Sequence, residues 1–115
     1  MKKIIAVMLA IIMLLAFAGC GETQNEKNSV LKIGIIQYMS HPSLDNCYNG
    51  VISALESSGI QYTVDYQIGS GNSADSDCTS FAKNMVAANY DMIIAIATPA
   101  AKSAFAATDD TEIPV

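Results

Sequence analysis

The hydrophobic pattern of residues 30–115 changes period from segment to segment, and three of these segments predict β-strands. Residues 30–38 form a nearly continuous apolar run with several β-branched side chains, typical of a strand covered on both faces in a parallel sheet. Residues 62–68 alternate apolar and polar positions and predict a half-exposed edge strand. Residues 91–97 are apolar on both faces and predict a third strand.

Helical spacing separates the predicted strands. Apolar residues recur every three or four positions across residues 43–57, with Pro42 at the entry and Gly59 placed to end the helix. The same spacing returns from Ala74, after the turn-rich sequence GSGNS at residues 69–73. One helix is therefore predicted after each of the first two strands.

A third helix and a fourth extended segment complete the alternation. Thr98 is predicted to be the N-cap of a helix that begins at Pro99, since threonine suits the cap and proline the first helical position. Residues 112–115 then begin a further extended segment. Strands that alternate with helices predict an α/β fold with a doubly wound parallel sheet. Because no helix follows the last segment to cover the sheet, we expect the domain to be incomplete.

The amino-terminal segment has the build of an export signal. Residues 4–18 are an unbroken apolar run preceded by Lys2 and Lys3, and the run is shorter than the ~20 residues that a spanning helix needs. It ends in Phe-Ala-Gly-Cys, which resembles the lipobox of bacterial lipoproteins with phenylalanine in place of the usual leucine. We therefore predict a lipoprotein signal peptide at residues 1–19 and lipidation of Cys20.

An uncleaved membrane anchor and an ordinary secretory signal are the alternatives for this segment. Each of them also places the rest of the chain outside the cytoplasm. The predicted location is the extracytoplasmic face of the cell membrane, with the protein anchored by the lipid on Cys20. Residues 20–29 are polar and unpatterned and predict a flexible tether, which leaves residues 30–115 for folding.

Charge excludes nucleic acid as a partner and limits how the protein meets a membrane. The chain has six lysines, no arginine, eleven acidic residues and a net charge of −5, so the basic face that nucleic acid needs is missing. Loss of Lys2 and Lys3 with the signal peptide would make the exported part more acidic still. Membrane attachment would therefore depend on the lipid at Cys20 and not on attraction to anionic headgroups.

The carboxyl ends of the predicted strands are where an open parallel sheet binds its ligands. Three loops follow these ends, at residues 37–43, 69–73 and 98–101. In the third loop, the Thr98 hydroxyl and free amides of Ala100 and Ala101 are predicted to face the crevice. A helix N-terminus stabilises an anion by ~0.3–1 kcal/mol, so a carboxylate would suit this position. The alternative is that Thr98 only caps its helix.

His41 is the only histidine, and neither a catalytic site nor a metal site is predicted around it. Its polar neighbours in the sequence are Ser40, Ser43 and Asp45. Residues this close at a helix start point in different directions, so a histidine that packs in or caps the turn is the favoured interpretation. One histidine with scattered aspartates offers no metal-ligand set. Residues 69–72 lack the lysine of a P-loop, and no cofactor is predicted.

Cys47 and Cys78 are predicted to remain unbridged. With strand order 2-1-3, the first and second helices lie on opposite faces of the sheet, beyond the roughly 7 Å Cα separation that a disulfide allows. Both cysteines fall on the apolar stripes of their helices, so we expect both to pack in the core.

Four segments carry a resemblance to a known family. They are KIGIIQY at residues 32–38, HPSLD at 41–45, VDYQ at 64–67 and AIATPAA at 95–101. In order and spacing they resemble the amino-terminal half of the substrate-binding lipoproteins of ABC transporters, of the tryptophan and tyrosine uptake type. The resemblance implies an incomplete lobe of the type I periplasmic-binding-protein kind at residues 30–115. It also implies a second lobe, an aromatic amino acid held between the two, and delivery to a permease and its ATPase.

The resemblance also implies which residues contact the ligand. One wall of the crevice would consist of Gln37, Tyr38 and His41. The ligand's carboxylate would lie at Thr98, Pro99, Ala100 and Ala101. Pockets typically bury 70 to 90% of a ligand's surface, so we expect little binding by one lobe alone. Two other classes remain open at this stage: an exported flavodoxin-like hydrolase whose catalytic residues lie in a missing carboxy-terminal half, and a surface adhesion module.

Overall fold

The computed structural model describes residues 29–115, which form a three-stranded parallel sheet with helices on both faces. The elements in chain order are β1 (Leu31–Gln37), α1 (Pro42–Ser58), β2 (Tyr62–Ile68), a 3-10 turn (Gly71–Ser73), α2 (Ala74–Ala87), β3 (Met92–Ile96) and α3 (Thr98–Thr108). The strand order is β2-β1-β3, so that β1 is central and β2 lies at an edge. The predicted α/β fold is confirmed, and the strand order is the one assumed in the argument about the cysteines.

The register of the sheet places the carboxyl ends of all three strands at the same end of the sheet. Leu31 pairs with Tyr62 and Gln37 with Ile68, while Gln37 also pairs with Ile96 of β3. Both pairings are parallel, so each crossover helix returns the chain to the end of the sheet where the strands begin. The loops that follow the strands therefore lie together, as the sequence predicts.

Each face of the sheet has its own apolar cluster. On one face, α1 covers a cluster whose fully buried members are Ile33, Ile35 and Ile96. On the other face, α2 and α3 cover a cluster whose fully buried members are Ile36, Cys78, Ala82, Met85, Ile93, Ala100 and Ala104. The backbone of Gly34 packs so closely against α2 that a Cβ at this position would overlap the thioether of Met85.

Cys47 and Cys78, the cysteines within residues 29–115, occupy different environments, and both are free thiols. Cys78 is buried in the α2–α3 cluster, as predicted. Cys47 is exposed, so the expectation that it packs in the core is wrong. The half-buried side chains of α1 that pack on the sheet include Leu44, Tyr48 and Val51, and Cys47 lies beside this stripe.

The helix starts differ in how they are formed. His41 precedes α1 as its N-cap, Pro42 follows in the first turn, and Gly59 ends the helix in the left-handed conformation at φ 73°. At α3, Thr98 is already helical and the cap position falls on Ala97, so the expected Thr98 N-cap is wrong. The reason is the backbone of Ala97, whose φ of 83° and ψ of 151° turn the chain directly from β3 into α3.

The last residues return to the open edge of β3. The amide of Ile93 donates to the carbonyl of Pro114 at 3.0 Å, although residues 112–115 form no regular strand. None of the helices at residues 29–115 reaches the length and apolarity of a membrane span. The predicted signal peptide at residues 1–19, the lipidation of Cys20 and the tether up to residue 28 lie outside the described residues.

Candidate functional site

The candidate crevice lies where the carboxyl ends of β1 and β3 meet. The amide of Tyr38 donates to the carbonyl of Ile96 at 3.2 Å, which joins the loop after β1 to the residues just before α3. The loop after β2 also reaches this edge, because the Gly69 amide donates to the carbonyl of Gln37 at 2.9 Å. The structure thus brings together the three loops that the sequence singles out.

Gln37 lies behind this edge and has no exposed side-chain surface. Its Nε2 donates to the carbonyl of Met39 at 2.8 Å and to Oδ1 of Asp45 at 2.7 Å. Its Oε1 accepts from the hydroxyl of Tyr66 at 2.9 Å. The structure therefore places Gln37 beneath the crevice wall and not on its surface, with both ends of its carboxamide engaged.

Tyr66 is the member of this network that sequence reasoning did not single out. Its ring stacks on Tyr48 of α1 with centroids 3.9 Å apart and planes 16° from parallel. Burial raises the pKa of the Tyr66 hydroxyl, and the nearby Asp45 carboxylate and Tyr48 raise it further. The hydroxyl therefore stays protonated and donates to Gln37. The alternation along β2 was the available signal, since it turns Tyr66 toward α1.

The exposed surface of the first wall consists of Tyr38 and His41. Tyr38 is half-buried and packs against the α2–α3 cluster. His41 is exposed, and its Nδ1 accepts from the amide of Ser43 at 3.2 Å. The capping role weighed for this histidine is confirmed. Because Nδ1 accepts, the proton of the neutral ring is on Nε2, which leaves that nitrogen as a donor.

These residues do not assemble a catalytic triad. The contact between His41 and Ser43 uses the serine amide, and Asp45 accepts from Gln37. Within residues 29–115, no three His, Cys, Asp or Glu side chains come together to hold a metal ion.

The start of α3 forms the second part of the crevice. Thr98 is exposed, Pro99 is half-buried and Ala100 is buried. The Ala101 amide donates to the carbonyl of Ala97 at 3.0 Å, so the expectation that this amide is free is wrong. Among the described residues, the amides of Thr98 and Ala100 have no acceptor. Because Ala100 has no exposed surface, the amide of the exposed Thr98, with the helix dipole, is the donor that an anion could use here.

Ala97 holds an unusual backbone conformation beside these amides. Its φ of 83° with ψ of 151° lies in a region that is essentially reserved for glycine. Backbone strain of this kind costs of order 1–3 kcal/mol and persists only where the surroundings enforce it. Here it lets β3 pass into α3 with no intervening loop.

Two cavities of the described residues lie beside the edge strands β2 and β3, and the second of them reaches Ala101 in the first turn of α3. A cavity of about 280 Å³ lies beside β2 and is lined by Asp65, Gln67, Phe81, Asn84, Met85, Ala88 and Tyr90. An apolar cavity of about 500 Å³ follows the open edge of β3. In the crevice, His41 and Thr98 are exposed on this lobe. A pocket that buries most of a ligand there would need a second wall.

The fold and this arrangement of loops are those of a substrate-binding protein, and the chain belongs to the ABC transporter substrate binding protein family, whose model matches residues 32–115. A curated relative is the tyrosine-binding protein of Clostridioides difficile (strain R20291), 34% identical over 125 aligned residues. That alignment covers 97% of this chain and 36% of the relative. The family resemblance drawn from HPSLD and IATPAA is confirmed.

A solved structure agrees with the fold. It is the ligand-free, open form of a substrate-binding protein with adhesive properties from Clostridium difficile, with a TM-score of 0.66 and 36% sequence identity. The match covers 73% of this chain and 29% of that one, so this chain spans about a third of the proteins it resembles. These relatives are binding proteins. They point away from the hydrolase alternative and toward a protein without catalytic activity.

Proposed function

We propose that this chain supplies part of one lobe of the extracytoplasmic solute-binding component of an ABC importer, with an aromatic amino acid as the ligand. The observation that carries the proposal is the hydrogen bond between the Tyr38 amide and the Ile96 carbonyl. Through it, the loop that carries Tyr38 and His41 is joined to the residues before α3, where the exposed Thr98 offers its amide. The name of the tyrosine-binding relative supports the choice of ligand.

The proposed contacts follow from the chemistry of the two parts of the crevice. The carboxylate of the amino acid accepts from the amide and the hydroxyl of Thr98, and Ala100 lies behind them in the core. The ring packs against Tyr38, and the Nε2 proton of His41 is a donor for a polar group of the ligand. Gln37 contributes from beneath the wall, while Pro99 and Ala101 shape the turn around the carboxylate.

The test supplies the second wall from a relative. In a chimera, residues 32–115 of this chain replace the corresponding segment of the C. difficile tyrosine-binding protein. L-Tyrosine or L-tryptophan is expected to raise the melting temperature of the folded chimera. Tyramine, which lacks the carboxylate, and L-leucine, which lacks the ring, are expected to leave it nearly unchanged. A folded chimera that responds to no aromatic amino acid would contradict the proposed ligand class.

The chain alone serves as the second arm of this experiment. We expect little or no shift with the same ligands, because a single lobe leaves most of the ligand exposed to water. An equal shift in the chain and the chimera would mean that the ligand does not bind between two lobes.

Location and partners complete the proposal. The lipid on Cys20 anchors the protein at the extracytoplasmic face of the cell membrane, where it passes its ligand to the permease and its ATPase. Metabolic labelling with a radioactive fatty acid is expected to mark the wild-type protein and to be lost in Cys20→Ser. Labelling that persists in the variant would contradict the anchor.

A further inference from the structure

The start of α1 is held to the sheet only lightly by apolar packing. A polar clamp, formed by the hydrogen bonds of Gln37 with Met39, Asp45 and Tyr66, holds it in addition. None of the residues of Pro42–Ser58 is fully buried, and the side chains facing the sheet are half-buried. In contrast, α2 and α3 each place several fully buried residues in their cluster. The position of the first turn of α1 therefore depends more on specific polar bonds than that of the other helices.

Gln37 supplies those bonds from one carboxamide. Nε2 reaches the Met39 carbonyl in the loop and the Asp45 carboxylate in the first turn of α1, at 2.8 and 2.7 Å. Oε1 accepts from Tyr66 of β2 at 2.9 Å. A single buried side chain at the end of β1 thus joins the loop, the helix and the neighbouring strand.

The chemistry of the partners restricts residue 37 to a side chain that both donates and accepts hydrogen bonds. A backbone carbonyl and a carboxylate can only accept, while the Tyr66 hydroxyl needs an acceptor on the other side. Glutamine satisfies all three groups at once. Glutamate would keep the acceptor for Tyr66 but would place a second carboxylate against Asp45, and leucine would leave all three groups unpaired.

We infer that Gln37 is a positioning residue, which sets the place of Tyr38 and His41 in the crevice by fixing the loop and the first turn of α1 to the end of β1. The link to His41 runs through Asp45. The amide of Asp45 donates to the His41 carbonyl at 2.9 Å while its carboxylate accepts from Gln37. The significance of this clamp for a ligand rests on the proposed function, but the clamp itself does not.

Hydrogen exchange tests the clamp without any ligand. The amides of Leu44 and Asp45, which both donate to the His41 carbonyl, report opening of the loop and first turn. Ile35 in the buried centre of β1 reports global unfolding. In Gln37→Glu, exchange at Leu44 and Asp45 is expected to rise about tenfold more than exchange at Ile35, since two acceptors lose their donor.

Three further variants separate positioning from general destabilisation. Asp45→Asn keeps an acceptor for Gln37 and is expected to exchange like the wild type. Combined with Gln37→Glu, it gives an asparagine donor facing a carboxylate, and the double variant is expected to regain most of the protection at Leu44. Ile93→Val, a core truncation distant from the loop, is expected to change Leu44 no more than Ile35.

The inference is overturned if exchange at Leu44 in Gln37→Glu rises only as much as at Ile35, or if the double variant restores nothing. Should Gln37→Glu fail to fold, Asp45→Ala removes the helix end of the clamp and is expected to show the same local increase. An unchanged Leu44 in Asp45→Ala would equally refute the inference. Because no amino acid is added, either result leaves the proposed ligand to be decided by the chimera.

Discussion

Gly69 offers a direct test of how tightly the loops after β1 and β2 meet at the crevice. It is buried, and its amide donates to the backbone carbonyl of Gln37 at 2.9 Å. A Cβ built at Gly69 overlaps the carbonyl oxygen of Tyr38 and comes within 3.0 Å of the Cα of Ala74. These are main-chain atoms, so no rotamer change can relieve the overlap and the backbone itself must move.

The cost of Gly69→Ala follows from this geometry. Overpacking costs typically 1–3 kcal/mol, and the upper value, about 3 kcal/mol, applies where rigid backbone is the obstacle. Displacement of the Gly69 amide from its acceptor adds about 1 kcal/mol. The expected loss of about 3–4 kcal/mol is a large fraction of the 5–15 kcal/mol at which domains are typically stable.

Two alanine variants of other glycines are matched controls. Gly71 has a φ of 50° and open space around the built Cβ, so Gly71→Ala is expected to cost only about 1 kcal/mol of left-handed strain. Gly50 lies in α1 with open space around it, and Gly50→Ala is expected to stabilise the protein by about 1 kcal/mol.

Urea unfolding followed by circular dichroism measures all three variants. The midpoints are expected to fall in the order Gly50→Ala, wild type, Gly71→Ala, Gly69→Ala, with similar slopes. A Gly69→Ala protein as stable as Gly71→Ala would refute the reasoning, because it would mean that the contact between these loops is loose.

Three further predictions concern backbone strain, ionisation and thiol exposure. Ala97→Gly is expected to raise the unfolding free energy by about 1 kcal/mol, since relief of strain exceeds the entropy cost of glycine; a lower urea midpoint would contradict the strain. Burial raises the pKa of Tyr66 and Tyr90 above 10.0, so the unfolded chain loses these protons first. Stability is therefore expected to fall as the pH rises above about 10, and to fall less in a variant with phenylalanine at both positions; an equal decline in that variant would assign the effect elsewhere. Cys47 is expected to react with a maleimide in the native protein, whereas Cys78, which is buried and whose pKa is raised by that burial, is expected to react only on unfolding; equal rates would contradict the burial.

Much of the fold could be predicted because its signals are local. The apolar run of β1, the alternation of β2 and the helical spacing of α1 each reflect which faces of a single element are covered. Right-handed crossovers between parallel strands restricted the topology, while the order β2-β1-β3 entered only as an assumption that the structure bears out. Cys47 shows the limit of such reasoning, because a position beside the apolar stripe of α1 is exposed when the helix packs only through half-buried residues.

The sequence by itself determined the elements of this protein, the edge of the sheet at which the loops gather and the family to which the chain belongs. Only the tertiary structure decided which groups Gln37 bonds to and where Thr98 lies relative to α3. The partners of Gln37 include Tyr66, which is 29 residues away, and hydrogen bonds over that separation leave no periodic trace in the chain. Thr98 lies inside α3 and not before it because the cap position falls on Ala97, whose φ of 83° is a conformation that the local propensity of alanine does not predict.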